Sequence, residues 1–170
     1  MSMTRAQRVI LTLMVAISCI GCDQAVKTFA RNTLVANEAL RVFNDIIHLQ
    51  YSENHGAMLG IGADLPAEAR FWLFTVFAGF ALVSILAYTL TSGKLKSVEV
   101  LALSLVLGGG LSNLIDRLAR GGIVIDFVMI VVGPLRTAIF NLADLLIVIG
   151  LAILVVSNLP LFSLPPKPSK

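Results

Sequence analysis

Phe71-Trp-Leu-Phe-Thr-Val-Phe-Ala-Gly-Phe-Ala-Leu-Val-Ser-Ile-Leu-Ala-Tyr-Thr-Leu-Thr91 runs for 21 residues without a charged side chain. About 20 mostly apolar residues in a helix span the hydrocarbon core of a bilayer. Three other stretches have a similar character, at about 9–27, 98–115 and 139–161. Composition agrees: 57% of the 170 residues are hydrophobic and 14% charged, against about 25% charged in a soluble domain. A chain this short buries too little of its surface to hide so much apolar area in a globule. The expected fold is an all-α membrane protein, one domain over 1–170 with four transmembrane helices.

Lys and Arg in the flanks orient the spans. Arg5 and Arg8 precede the first, Lys94 and Lys96 fill the short loop between the second and third, and Lys167 and Lys170 follow the fourth. All three flanks read as cytoplasmic, which puts both termini inside. The outer loop 28–70 holds Ala39-Leu-Arg-Val-Phe-Asn-Asp-Ile-Ile-His-Leu-Gln-Tyr51. Its short β-branched and aromatic runs flank Asn44-Asp45, so a hairpin or small sheet on the membrane surface is expected. Pro66 with Glu68 marks a helix start leading into the second span. The segment 116–138 reads as an outer connection, and the Pro-rich tail as a frayed end.

The net charge of +3 comes without a basic stripe or interleaved aromatics, which argues against nucleic acid as a partner. Cys19 and Cys22 lack the βαβ setting of a redox C-x-x-C motif. Arg5 to Cys22 also resembles a secretory signal, and Ile20-Gly21-Cys22 resembles the box before a lipid-modified cysteine. With three more spans following, the segment reads instead as a retained first helix.

The membrane-level polar residues gather at one depth. Asp23 and Lys27, spaced i,i+4, share a face at the outer end of the first span. Asn113, Asp116 and Arg117 lie at the outer end of the third. Asn141 and Asp144 open the fourth, with Asp144 about five residues in, roughly 7–8 Å below its start at 1.5 Å per residue. Asp126 and Asn54-His-Gly56-Ala57 come from the outer connections. Nothing comparable is expected on the inner side. Such residues are functional candidates, but each has a plainer reading. Asp116 beside Arg117 or Arg120 makes a structural ion pair. Asp23 with Lys27 makes an interfacial pair, the lysine snorkelling outward. Asn113 and Asn141 make interhelical hydrogen bonds. His55 and His48 are too few for a metal site.

Asp126 and Asp144 resist the plain reading best. Asp126 sits in Ile123-Val-Ile-Asp126-Phe127-Val-Met-Ile, and Asp144 is flanked by Leu142, Ala143, Leu145 and Leu146. Two carboxylates close together in an apolar site cannot both ionise easily, so one keeps a proton. That is the condition for aspartyl proteolysis. No G-x-S-x-G or H-E-x-x-H competes. The residues alone leave an intramembrane hydrolase and a transporter or proton relay both open.

Five motifs stand in order along the chain: Asp23-Gln-Ala-Val-Lys27, Asn54-His-Gly56-Ala57, Asn113-Leu-Ile-Asp116-Arg117, Val124-Ile-Asp126-Phe127 and Phe140-Asn141-Leu-Ala143-Asp144. Together they resemble the lipoprotein signal peptidase (signal peptidase II) family of intramembrane aspartyl peptidases over nearly the whole length. The resemblance implies a catalytic pair, Asp126 and Asp144. It implies that Asn54, Gly56, Asn113, Arg117, Asn141 and Ala143 hold the substrate or the pair, with Asp23 and Lys27 in support and Asp116 structural. It implies cleavage of diacylglyceryl-modified prolipoproteins just before the lipidated cysteine. No cofactor or metal is expected. The expected setting is the bacterial inner membrane, with a monomer among membrane lipids, a β-sheet cradle in the periplasmic loop and the active site near the outer face. Two positions depart from the family pattern. Ser112 stands where Gly is usual, so packing there is looser or hydrogen-bonded. Met58-Leu59 stands where an aromatic is common, which bears on the substrate cleft. Neither touches the aspartates, and together they leave open a paralogue with shifted substrate preference; a lipoprotein-binding paralogue with altered catalysis is a further alternative.

Overall fold

The computed structural model describes residues 3–34 and 38–159. Four helices and a small sheet make up the fold. Helix α1 spans Arg5–Thr33, α2 Ala67–Thr91, α3 Ser97–Ala119 and α4 Leu142–Asn158. Helices α1, α2 and α3 are long and apolar enough to cross a membrane, while α4 is apolar but 17 residues long. The expected end of the fourth span at Leu161, the Pro-rich tail, and Lys167 and Lys170 lie outside the described residues.

Local chemistry starts each helix. Thr4 caps α1: its hydroxyl accepts from the Gln7 amide at 3.2 Å, and the Gln7 side chain accepts from the Thr4 amide at 2.9 Å. This reciprocal capping box satisfies two otherwise unpaired donors. The Glu99 carboxylate accepts from the Lys96 amide at 2.7 Å before α3. Pro66 precedes α2, and residues Trp72–Phe77 within α2 are π-helical.

Helix α1 continues beyond the expected boundary at 27, and α3 beyond 115. Asp23, Lys27, Asn113 and Asp116 do not end the helices, because they pair with one another across the α1–α3 contact. Polar groups satisfied by a neighbouring helix can remain at membrane depth.

Helix α3 is the centre. In its most apolar window 61% of the residues are buried, against 22% for α1 and 17% for α2. Its consecutive glycines touch three different helices. A Cβ on Gly108 would meet Cys19 of α1, one on Gly109 would lie 2.5 Å from the Ala143 carbonyl oxygen of α4, and one on Gly110 would meet Leu82 of α2. Small residues allow this close approach.

The expected hairpin is present and extends into a larger sheet. Strands β1 (Leu40–Val42), β2 (Ile47–Asn54), β3 (Val124–Val132) and β4 (Leu135–Arg136) pair antiparallel in that order. Asn44 and Asp45 take positive φ at the first turn, which short polar side chains tolerate. Strand β3 falls in the stretch expected to be a plain connection; its partner β2 is 70 or more residues away, beyond any local pattern. Register places Leu40, Val42, Ile47, Leu49, Val128, Ile130, Val132 and Leu135 on one face, and Arg41, His48 and Arg136 on the other. Asp126 shares the apolar face, opposite Ser52.

The end of the bundle away from the aspartates holds a smaller buried polar set. Arg8, Thr12, Thr89, Glu99 and Ser104 are buried there. The Arg8 guanidinium donates to the Ser92 carbonyl, and the Ser104 hydroxyl to Thr12 Oγ1 at 3.1 Å. The start of α1, the end of α2 and the start of α3 converge at this level, so backbone carbonyls and neighbouring hydroxyls serve as partners.

Gly109→Ala drives a methyl into the α4 backbone, whereas at Gly110 the flexible Leu82 side chain can move. Thermal unfolding in detergent is expected to show Gly109→Ala destabilised by about 1–3 kcal/mol, the usual cost of overpacking, and Gly110→Ala by less.

Candidate active site

The site is built on the start of α4. Asn141 is the N-cap: its Oδ1 accepts from the Asp144 amide at 2.9 Å, and Asp144 Oδ2 accepts from the Asn141 amide at 3.3 Å. Asp144 is therefore the third residue of the helix, shallower than the expected five residues. The Asn-x-x-Asp spacing acts as a capping box and locks the Asp144 side chain over the helix end.

The Asn141 amide joins both aspartates. Its Nδ2 donates to Asp126 Oδ1 at 2.6 Å and to Asn113 Oδ1 at 3.1 Å. Asn113 Nδ2 in turn donates to Asp144 Oδ1 at 2.9 Å. Asn54 holds Asp126 from the other side, donating to Oδ2 at 2.9 Å. Asp126 is 1% exposed. Burial pushes its carboxyl up to about 7, the Asp144 charge adds to the rise, and the Asn54 and Asn141 hydrogen bonds hold it back.

The loop residues are tied in turn. Asn54 Oδ1 accepts from the Gly56 amide at 2.8 Å, and the Gly56 carbonyl accepts from Arg117 Nη2 at 2.8 Å. A Cβ on Gly56 would lie 2.6 Å from the Ile61 carbonyl oxygen. Arg117 forms no ion pair with Asp116. It crosses to the loop with its guanidinium 5.9 Å from the Phe74 ring centroid, and its buried Nε has no partner.

Lys27 does not snorkel. Fully buried, its Nζ lies 2.7 Å from Asp23 Oδ2, 2.8 Å from Asp116 Oδ2 and 2.8 Å from Asn113 Oδ1. Two carboxylates and an amide of the bundle supply a better-satisfied site than the interface. Asp23 also accepts from the Ala143 amide at 2.9 Å and from the Ser112 hydroxyl at 2.7 Å. Ser112 thus joins the network by hydrogen bonding instead of loosening the packing. Asp116 accepts from Arg120 Nε at 3.3 Å and from Gln24 Nε2 at 3.0 Å. Gln24 was not singled out in the sequence; its signal was an amide side chain within an apolar span.

Two cavities meet here. One of about 380 Å³ reaches from Asp144, Asn113 and Arg117 between apolar walls that include Leu73, Phe74, Phe77 and Ile147. The other, about 280 Å³, is lined by Asp126, Ser52, His55, Ala138 and Ile139. Asn54 borders both. Among the described residues, no three His, Cys, Asp or Glu side chains are grouped to hold a metal.

A model of the family described as signal peptidase (SPase) II matches residues 15–160. The chain belongs to the signal peptidase II family. The lipoprotein signal peptidase of Moorella thermoacetica is 37% identical over 84% of this chain and 88% of its own. That of Halothermothrix orenii is 35% identical over 85% and 92%, and that of Hydrogenovibrio crunogenus 31% over 95% and 90%. A bacterial membrane enzyme solved by the in meso method at 2.3 Å has the same fold, with a TM-score of 0.79 and 23% identity over 94% of each chain. The chain is accordingly a peptidase with apolar membrane helices and a four-stranded sheet.

Removing the Lys27 charge leaves Asp23 and Asp116 buried beside an apolar side chain. Lys27→Met is expected to destabilise the protein by about 3–5 kcal/mol, read as a lowered unfolding midpoint in detergent. Ser112→Ala removes one hydrogen bond to a charged group and is expected to cost about 1.5–3 kcal/mol in the same measurement.

Proposed function

We propose that this chain removes signal peptides from prolipoproteins, cutting just before a diacylglyceryl-modified cysteine, with Asp126 and Asp144 as the catalytic pair. The observation that carries the reading is Asn141 bridging the two carboxylates, its side-chain amide donating to Asp126 and its backbone amide to Asp144, with Asn113 completing the link to Asp144. The pair shares a proton. Its ionised member takes a proton from water, which attacks the scissile carbonyl. The protonated member polarises that carbonyl and then protonates the leaving amine. Arg117, which lines the larger cavity, donates from its guanidinium to a substrate carbonyl. Asn54 and Gly56 hold the loop against Asp126, while Asp23 and Lys27 support the α4 start through Ala143 and Asn113.

Four membrane helices with both termini cytoplasmic, and the sheet on the outer side of an inner membrane, fit the flanking Arg5, Arg8, Lys94 and Lys96. The apolar sheet face suits a position against the outer leaflet. Acyl chains hold the substrate cysteine at this depth, and the larger, mostly apolar cavity suits them. Each buried CH₂ is worth about 0.8 kcal/mol of binding remote from the reaction. A single copy supplies every group named, in keeping with a monomer. Transport is the weaker reading: close-packed Gly108–Gly110 separates the outer network from the inner polar set.

Asp126→Asn and Asp144→Asn, each retaining the fold, are expected to lose about 10²–10⁴-fold in cleavage of a diacylglyceryl-modified prolipoprotein, followed by gel shift. Activity retained in either variant would move the chemistry elsewhere. A raised Asp126 also affects stability. From about pH 4 to 7 the folded state binds more protons than the unfolded state, so this group's contribution declines as pH rises. Denaturation at pH 5 and pH 8 is expected to show Asp126→Asn gaining stability relative to the parent at the higher pH. A difference independent of pH would contradict the raised carboxyl.

A further inference from the structure

A third cavity, apart from the two at the aspartates, lies at the outer end of α2. About 80 Å³ in volume, it is lined by His55, Arg70, Phe71, Thr75, Gly121 and Gly122, with Ala67 at its rim. It has room for two or three waters, at about 30 Å³ each. None of these side chains is acidic. Arg70 donates to the Ala63 carbonyl through Nη1 at 2.7 Å, leaving the rest of its fork free. Thr75 is buried. In helical stretches elsewhere, the hydroxyls of Thr28, Thr33, Thr89 and Thr91 donate to the carbonyl four residues back. Among the described residues Thr75 makes no such bond, because it sits in the π-helical stretch where that register is lost. Gly121 and Gly122, both at positive φ with open space around them, leave bare backbone on the opposite wall.

Arginine, a free hydroxyl and an imidazole converging on a small non-acidic hollow suit an oxyanion. Charge-assisted donors of this kind are the strong ones. Depth points to its source. Phe71 and Trp72 form an edge-to-face pair with centroids 6.0 Å apart, and both are more than half exposed. Aromatic side chains gather where a membrane meets water. The hollow therefore sits at headgroup level.

We propose that this cavity binds the phosphate group of an outer-leaflet phospholipid, with Arg70, Thr75 and His55 as its donors. The site rests on the membrane placement of α2 given above but not on the peptidase reading. Through His55 the phosphate would sit one residue from Asn54, which holds Asp126.

Native mass spectrometry of the full-length protein in detergent tests this without any cleavage step. Dioleoylphosphatidylglycerol, neutral dioleoylglycerol and inorganic phosphate are titrated separately. One phosphatidylglycerol is expected to bind in preference to dioleoylglycerol, with inorganic phosphate competing weakly. Arg70→Gln and Thr75→Val are each expected to weaken that binding about tenfold, the scale of one hydrogen bond to a charged group. Thr75→Ser, which keeps the hydroxyl, should restore it. Lys94→Gln, which removes the same charge from the loop beyond the other end of α2, should leave it unchanged. Unaltered binding in both Arg70→Gln and Thr75→Val would overturn the proposal. So would an equal loss in Lys94→Gln, which would mean diffuse charge attraction. Tighter binding of free phosphate than of the lipid would identify a soluble anion site and overturn the lipid assignment.

Discussion

The Lys27 ammonium, fully buried between Asp23, Asp116 and Asn113, is the constraint on which the half of the structure that carries the aspartates depends. A lone charge at that depth would be costly, and two carboxylates without it more so. Once paired, the group becomes a rivet between α1 and α3. Its influence reaches the aspartates by two short routes. Through Asn113 it orients the amide that holds Asp144, and through Asp23 it orients the Ala143 amide in the first turn of α4. The catalytic pair proposed here is thus positioned by groups that need never touch a substrate.

The second constraint is the central position of α3. Gly108, Gly109 and Gly110 point at three different helices; the first two let α1 and α4 approach to backbone distance, and the third makes room for the Leu82 side chain of α2. Asn113 can reach Lys27, Asn141 and Asp144 at once only because those helices lie so near. Close packing and the polar network are therefore one feature. The glycines bring the backbones together, and the hydrogen bonds set their register. The sheet adds the last element, since pairing of β3 with β2 turns Asp126 toward Asn141 and sets Asn54 beside it.

Apolar runs, basic flanks and the ordered polar motifs made much of this legible. The helices, the hairpin turn at Asn44-Asp45 and the gathering of polar residues at one depth are all local or nearly local signals. Less was visible where a residue had to choose between partners. The Lys27–Asp23 pair forms as its spacing suggests, but the lysine turns into the bundle instead of snorkelling outward. Of the two arginines open to Asp116, Arg120 pairs with it and Arg117 crosses to the Gly56 carbonyl. Gln24 pairs with Asp116, and Arg8 finds the Ser92 carbonyl, through contacts that no local pattern marks. Periodicity shows that a residue is polar on a given face; it does not show what stands opposite.

Composition and periodicity by themselves determined that the chain needs a membrane, where its long apolar helices fall and which aspartates lack a nearby basic residue. These follow from the length of each apolar run against bilayer thickness and from the cost of charge in lipid. Tertiary structure decided that β3 is a strand, that Asp144 lies in the first turn of α4 and that one asparagine joins the two carboxylates, its side-chain amide donating to Asp126 and its backbone amide to Asp144. Each of those depends on groups far apart in the chain meeting within hydrogen-bond distance. Such meetings are set by how the helices pack, which no local stretch encodes.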